Sequence, residues 1–221
     1  MVAGRASEAA HLYRELIGAR ADSATADLVP SLGRALAGSG DIAGAIKALR
    51  PALELGVGNT ELGAVLALLY THADQRPQAA DVYRNLFETG GVVEFGPPLA
   101  EVLISIQRHA EAGDVLDQVL QVEPQSTAAL ALRGKQLFEQ GRPREAAAHF
   151  EPLRRLTPED YRVYFFLTQI YEQLGERAMA EDAYALYLRY RQQKNRAEIH
   201  EQMKLSISEM TEQLKSLMEP K

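Results

Sequence analysis

The sequence predicts an all-α chain built from about five successive helix pairs. Three observations carry that prediction. The first is a period: Ala45, Ala79, Ala112, Ala146 and Ala180 are separated by steps of 34, 33, 34 and 34 residues. The second is that three further columns keep the same period. Four residues after each alanine stand Leu49, Tyr83, Leu116, Phe150 and Tyr184. Nine before each stand Leu36, Tyr70, Leu103, Leu137 and Tyr171, and three before those stand the small or fairly small Gly33, Ala67, Ala100, Gly134 and Thr168. The third is composition: 33 alanines in 221 residues, no tryptophan and few β-branched runs favour helix over strand.

One unit shows the physics. In 127–160, TAALALRGKQLFEQ contains good helix formers and stops at Gly141. PREAAAHFEPLRRL then opens on Pro143, a residue suited to a first helical turn, and ends before Pro158. Gly134 and Ala146 let two antiparallel helices approach closely, and Leu137, Phe150 and Leu153 fill the space between them. Each pair leaves an apolar face that the next pair covers.

A 34-residue helix–turn–helix period with these columns resembles the tetratricopeptide repeat (TPR) family. The resemblance covers 26–59, 60–93, 93–126, 127–160 and 161–194 of a single solenoid spanning 1–221. The family's closing proline appears as Pro124 and Pro158 but not at Val57, Gly91 or Gln192. Arg133 stands at a usually apolar position, and Tyr164 alone supplies the aromatic expected early in each unit. The resemblance implies a right-handed helical-repeat solenoid and a partner-binding role, with first helices lining a concave inner surface. It places Val65, Leu68, His72, Lys135, Phe138, Arg162, Phe165, Phe166 and Gln169 on or near that surface. There the apolar members receive a peptide or helix, and Lys135 and Arg162 orient its acidic end. Phe165 and Phe166 are adjacent, so they point about 100° apart and at most one is fully core. The carboxylate clamp of some family members is not matched, because Arg34, Leu68 and Glu101 occupy its positions.

The ends are less regular. Residues 7–21 read as a lone second helix, a half-repeat with Ala9, Tyr13 and Leu16 in the expected columns, whose partner would lie upstream of Met1. At the other end Ile199, Met203, Ile207, Met210, Leu214 and Leu217 form a stripe that predicts a long amphipathic capping helix over 197–219. Asn195 is the expected break before it. Inside the chain, TGGVVEFGPP at 89–98 predicts a long loop and a shortened first helix beginning near Pro98.

Composition excludes several functions. There are no cysteines, and the five histidines are widely spaced, so thiolate zinc sites, cysteine nucleophiles and paired-histidine metal motifs are absent. No phosphate loop or nucleophile elbow occurs, so no enzymatic activity, cofactor or metal is expected. A net charge of −6 argues against nucleic acid as partner. No apolar stretch is long enough for a signal peptide or a membrane span. A soluble, cytoplasmic protein is expected, and the Ala- and Arg-rich composition suggests a bacterial source. Charge is uneven, −7 over 1–125 and +1 over 126–221. Arg142, Arg144, Arg154 and Arg155 form one basic cluster and Arg189, Arg191, Lys194 and Arg196 another. Both read as solvated helix faces with Glu145, Glu151, Glu181 and Asp182 as nearby partners.

The expected function is therefore a non-enzymatic scaffold or adaptor for a protein or peptide partner. The alternatives are a helper domain of a larger enzyme or assembly protein, or a structural protein that self-associates through the half-repeat or the C-terminal helix.

Overall fold

The computed structural model describes residues 8–12, 15, 29–54 and 60–218, and among these every regular element is helical. Successive helices are α1 (Val29–Gly38), α2 (Ile42–Glu54), α3 (Thr60–His72), α4 (Arg76–Glu88), α5 (Val92–Ser105), α6 (His109–Val122), α7 (Thr127–Glu139), α8 (Pro143–Leu156), α9 (Tyr161–Leu174) and α10 (Arg177–Met218). Odd-numbered helices are the first members of pairs and even-numbered helices the second. The expected half-repeat at 7–21 lies outside the described residues, except for helical residues 8–12 and 15, of which Ala10 is buried. Tyr13 and Leu16 are among the residues outside.

The chain divides into two compact units, Met1–Arg133 and Gly134–Lys221. In the first, α1 to α6 pack each against the next in sequence, and the buried core is mainly leucine and alanine. Leu36, Leu49, Leu66, Leu99, Leu103 and Leu116 are fully enclosed. Small residues set the spacing. A Cβ on Gly33 would lie 2.4 Å from Leu49 Cδ1, and one on Gly96 would lie 2.2 Å from Val119 Cγ2. In the second unit α8, α9 and α10 pack in succession. A Cβ on Gly134 would stand 2.8 Å from Phe150 Cε2, so the glycine admits the ring.

The alanine column is buried at all five positions, as are the columns nine and twelve residues before it. The turn inside each pair repeats as well. Gly40, Asp74, Gln107, Gly141 and Gly175 all take positive φ, between 57° and 87°. In every case the next residue's N–H reaches back to the carbonyl of the column-nine residue. These bonds run Asp41 to Leu36, Gln75 to Tyr70, Arg108 to Leu103, Arg142 to Leu137 and Glu176 to Tyr171, at 2.8–3.0 Å. This is the six-to-one closure of a helix C-terminus, and it needs one left-handed residue.

Two sequence expectations are corrected. The helix expected to start near Pro98 starts at Val92, with Pro97 and Pro98 inside α5. Burial of Phe95 and the close approach of Gly96 to Val119 outweigh the local cost of prolines in the sixth and seventh helical positions. The break expected at Asn195 does not occur, because α10 is one helix of 42 residues. No glycine or proline interrupts it, and asparagine costs a helix interior only a fraction of a kcal/mol, about 0.6. Ile199 and Met203 of the expected stripe are exposed on it, and the side chains beyond Leu205 lie outside the described part.

Candidate partner-binding surface

The sequence-nominated residues fall in both units, and each group occupies one face of its helix. In the first unit Val65, Leu68 and His72 stand at helical spacing on α3. Val65 packs against the core, whereas Leu68 is 52% exposed and His72 is exposed. Beside them Arg34 of α1 donates to Glu61 in the first turn of α3, so the Arg34 guanidinium is engaged within the chain. Glu101, at another of the clamp positions, is exposed on α5.

In the second unit α7 carries Lys135 and Phe138, and α9 carries Arg162, Phe165, Phe166 and Gln169. Phe166 stacks on the buried Phe150 with ring centroids 5.0 Å apart, and Phe138 meets its edge at 6.2 Å. Phe166 and Phe138 are half-buried, while Phe165 is 45% exposed. Phe165 contacts Tyr187 of α10 at 5.7 Å. Lys135 lies 3.8 Å from Glu139, and Gln169 donates weakly to the Phe165 carbonyl at 3.5 Å.

Arg162 is held by its own helix start. Asp160 caps α9 by accepting from the Arg162 N–H at 3.0 Å, and its carboxylate takes two guanidinium bonds, from Nε at 2.9 Å and Nη2 at 2.7 Å. Those bonds hold the Asp160 carboxyl below the usual carboxylate range against the opposing effect of burial. Asp160 thus serves the start of α9.

The two basic clusters differ. Arg142 pairs with Glu145 at 2.6 Å and Arg154 with Glu151 at 2.8 Å, so the first cluster carries intrahelical ion pairs. Glu151 also accepts from the Tyr171 hydroxyl, and burial together with that bond pushes Tyr171 far above the usual tyrosine value. The second cluster lies on rings. Arg191 sits 5.6 Å from the Tyr187 centroid and donates to its hydroxyl at 2.6 Å. Lys194 sits 5.4 Å from the Tyr161 centroid and Arg189 5.7 Å from Tyr190. Among its members Lys194 also has a carboxylate partner, Glu198 at 3.6 Å.

Sequence reasoning missed Tyr184, Tyr187 and Leu188 as surface residues. Tyr184 belongs to the column four after the alanine, where Leu49, Tyr83, Leu116 and Phe150 are at most 4% exposed, yet it is 51% exposed. It lines a cleft of about 330 Å³ with Thr168, Glu172, Gly175, Arg177, Ala180 and Glu181. A usable signal was the 183–197 segment, which holds four cations and no carboxylate.

Among the described residues no cluster of three or more histidine or carboxylate side chains is placed to hold a metal, and no helix is long and apolar enough to cross a membrane.

Residues 132–197 match the tetratricopeptide repeat family. That segment, from α7 into α10, carries the tetratricopeptide repeat signature. Solved structures agree at the level of fold. The crystal structure of MamA is similar, with 20% identity and a TM-score of 0.69 over 75% of this chain and 97% of that one. A tetratricopeptide repeat protein from Parabacteroides merdae shares 21% identity and a TM-score of 0.68 over 81% of this chain and 71% of that one. No curated protein matches the sequence. Tetratricopeptide repeats are in general protein–protein interaction modules.

Proposed function

We propose that this chain is a non-enzymatic bacterial scaffold or adaptor, acting in the cytoplasm, that binds a peptide or helix of a partner protein on its first-helix faces. The repeats run 26–59, 60–93, 93–126, 127–160 and 161–194 in this reading. The observation that carries it is apolar exposure on those faces: Leu68 on α3 and Phe165 on α9 stand half out of the protein on helices whose other apolar side chains are largely packed. Within the second unit Phe138 and Phe166 support Phe165 from behind, so the receptor face is built before a ligand arrives and little of its ordering entropy is lost on binding. Lys135 and Arg162 add orientation and encounter rate, although each is already paired with a carboxylate on its own element.

The test is affinity capture from the source organism with the parent chain, Phe165→Ala and Leu68→Ala, alongside thermal melting. Loss of a captured partner with melting within a degree or two of the parent supports the surface. Retained capture by both variants overturns it. A second reading is self-association along α10, favoured by the exposed Ile199 and Met203 one turn apart. Sizing at several concentrations, with Met203→Lys as the control, decides it.

A further inference from the structure

We propose that the face of α10 carrying Tyr184, Leu188, Arg191 and Lys194 seats a helix of a partner protein. That helix lies antiparallel to α10, with carboxylates in its first turn and cations in its last. The surface is centred on α10 and borders the α9 face, whose Thr168 and Glu172 line the same cleft and whose Phe165 meets Tyr187.

The repeat itself argues for a helix. The side chain four residues after the alanine is buried in the four earlier pairs, and within the second unit the cover is visible: Phe150 of α8 is enclosed by Phe166 of the next helix, α9. In the last pair Tyr184 holds that position and is 51% exposed, with Leu188 one turn on at 48%. Among the described residues no helix turns back over them, since α10 continues unbroken to Met218. Small, buried neighbours, Thr168 and Ala180, floor the cleft beside Tyr184 that an incoming apolar side chain would fill.

Charge gives the helix its direction. At one end of the face stand Arg191 and Lys194, in a segment, 183–197, with four cations and no carboxylate, and Lys194 pairs with Glu198 just beyond it. Arg191 rests on Tyr187, and no described carboxylate lies within ion-pair distance of it. At the other end Glu172 and Glu181 line the cleft, with Arg177 pairing Glu181. From residue 181 to residue 194 is about 20 Å at 1.5 Å per residue, the length of a helix like α3 or α9, which have 13 and 14 residues. An antiparallel helix of that length sets its N-terminus beside the two cations and its C-terminus beside the two glutamates. Acids first and bases last also suit its own dipole. The chain already uses this chemistry: Glu61 in the first turn of α3 is bound by Arg34 of α1, and α9 is opened by Asp160.

The experiment uses two synthetic peptides of about 18 residues, helix-forming in length. They share one Leu/Ala stripe; one has Glu in the first turn and Lys in the last, the other the reverse. Fluorescence anisotropy with the full chain at low salt should show the Glu-first peptide binding about tenfold tighter or more. Arg191→Glu with Lys194→Glu should abolish or invert that preference. Tyr184→Asp should remove binding of both peptides while melting stays near the parent, because the ring is already half exposed. Equal affinity for the two peptides, or binding indifferent to Tyr184→Asp, overturns the proposal. So does a concentration-dependent dimer that Tyr184→Asp dissolves, since a second copy would then own the face. Binding of an oligothymidylate with the same dependence on Tyr184 and Arg191 overturns it in favour of nucleic acid.

Discussion

The two compact units solve the same packing problem with different side chains. In Met1–Arg133 the tightest helix crossings set an aliphatic side chain against glycine, as Leu49 is against Gly33 and Val119 against Gly96, with Tyr70, Tyr83, Phe87 and Phe95 buried among them. In Gly134–Lys221 they are filled by rings. A chain of ring contacts runs there from Phe138 through Phe166 and Phe165 to Tyr187 and Tyr184, with Arg191 resting on Tyr187. Branched aliphatics pack from all sides and leave little to show at the surface. Rings in a row keep edges and faces available, and a polar tip or a nearby cation makes their exposure tolerable. The repeat period fixes where a large residue stands; the choice of residue decides whether the position is only structural or also offers a contact.

That contrast is most severely tested at the two enclosed residues of one column. Phe150→Ala should cost about 3–5 kcal/mol and Leu116→Ala about 2–5 kcal/mol, read from urea unfolding. Phe150→Ala should in addition change the tyrosine and phenylalanine near-ultraviolet circular dichroism, because Phe166 loses its stacking partner; Leu116→Ala should leave that signal nearly intact. Equal spectral change in both would mean that the ring row is not the organising feature of the second unit. Next in size are the glycines that admit these residues. Gly134→Leu and Gly33→Leu should each cost about 1–3 kcal/mol by overpacking. A variant that melts within a degree of the parent would refute the assigned crossing in its unit.

A third comparison concerns charge. Arg133, at a usually apolar repeat position, is accommodated because Gly113 leaves room for its guanidinium and Asp117 accepts two bonds, from Nε at 2.9 Å and Nη2 at 2.7 Å. Asp117→Ala should cost about 1–3 kcal/mol, since it deprives a largely covered cation of a partner. Arg162 in the second unit is 72% exposed against 16% for Arg133, so the ion pair counts for less there, and Asp160→Ala should cost about 0.5–2 kcal/mol, chiefly as a lost helix cap. The smallest effect is a gain. Gln107 takes a left-handed φ of 65° where Gly141 and Gly175 do so freely. Gln107→Gly should relieve strain worth about 1 kcal/mol, partly offset by the greater chain entropy of glycine, and raise the melting temperature slightly.

Much of this was legible in the sequence. The alanine, large-residue and small-residue columns located the helix pairs because burial in a repeat is periodic by construction. Three local features were not. Pro97 and Pro98 spoke for a loop, and only the packing of Phe95 and Gly96 outweighs them. Asp74 and Gln107 hid two of the left-handed turn positions that glycine announces at 40, 141 and 175. Tyr184 read as core because its column is core elsewhere, and its exposure depends on where the following helix goes. At the candidate surface the residue types named α3, α7 and α9, but they could not say that Asp160 and Glu139 engage Arg162 and Lys135, or that Arg191 rests on a ring.

From Arg191 to Leu205 every side chain of α10 is exposed. The stretch therefore lacks the tertiary burial that makes the rest of the protein melt as a unit, and its helicity is governed by local propensity and by pairs such as Lys194 with Glu198 and Lys204 with Glu201. Such a segment unwinds gradually on warming. Ellipticity should slope well before the main transition, and backbone amide exchange should accelerate past Tyr190, which stacks on Tyr164, and again past Lys194, which rests on the Tyr161 ring. One continuous rod thus contains a cooperative half and a statistical half, joined without a hinge, and a partner that gripped the second half would convert it from one kind to the other.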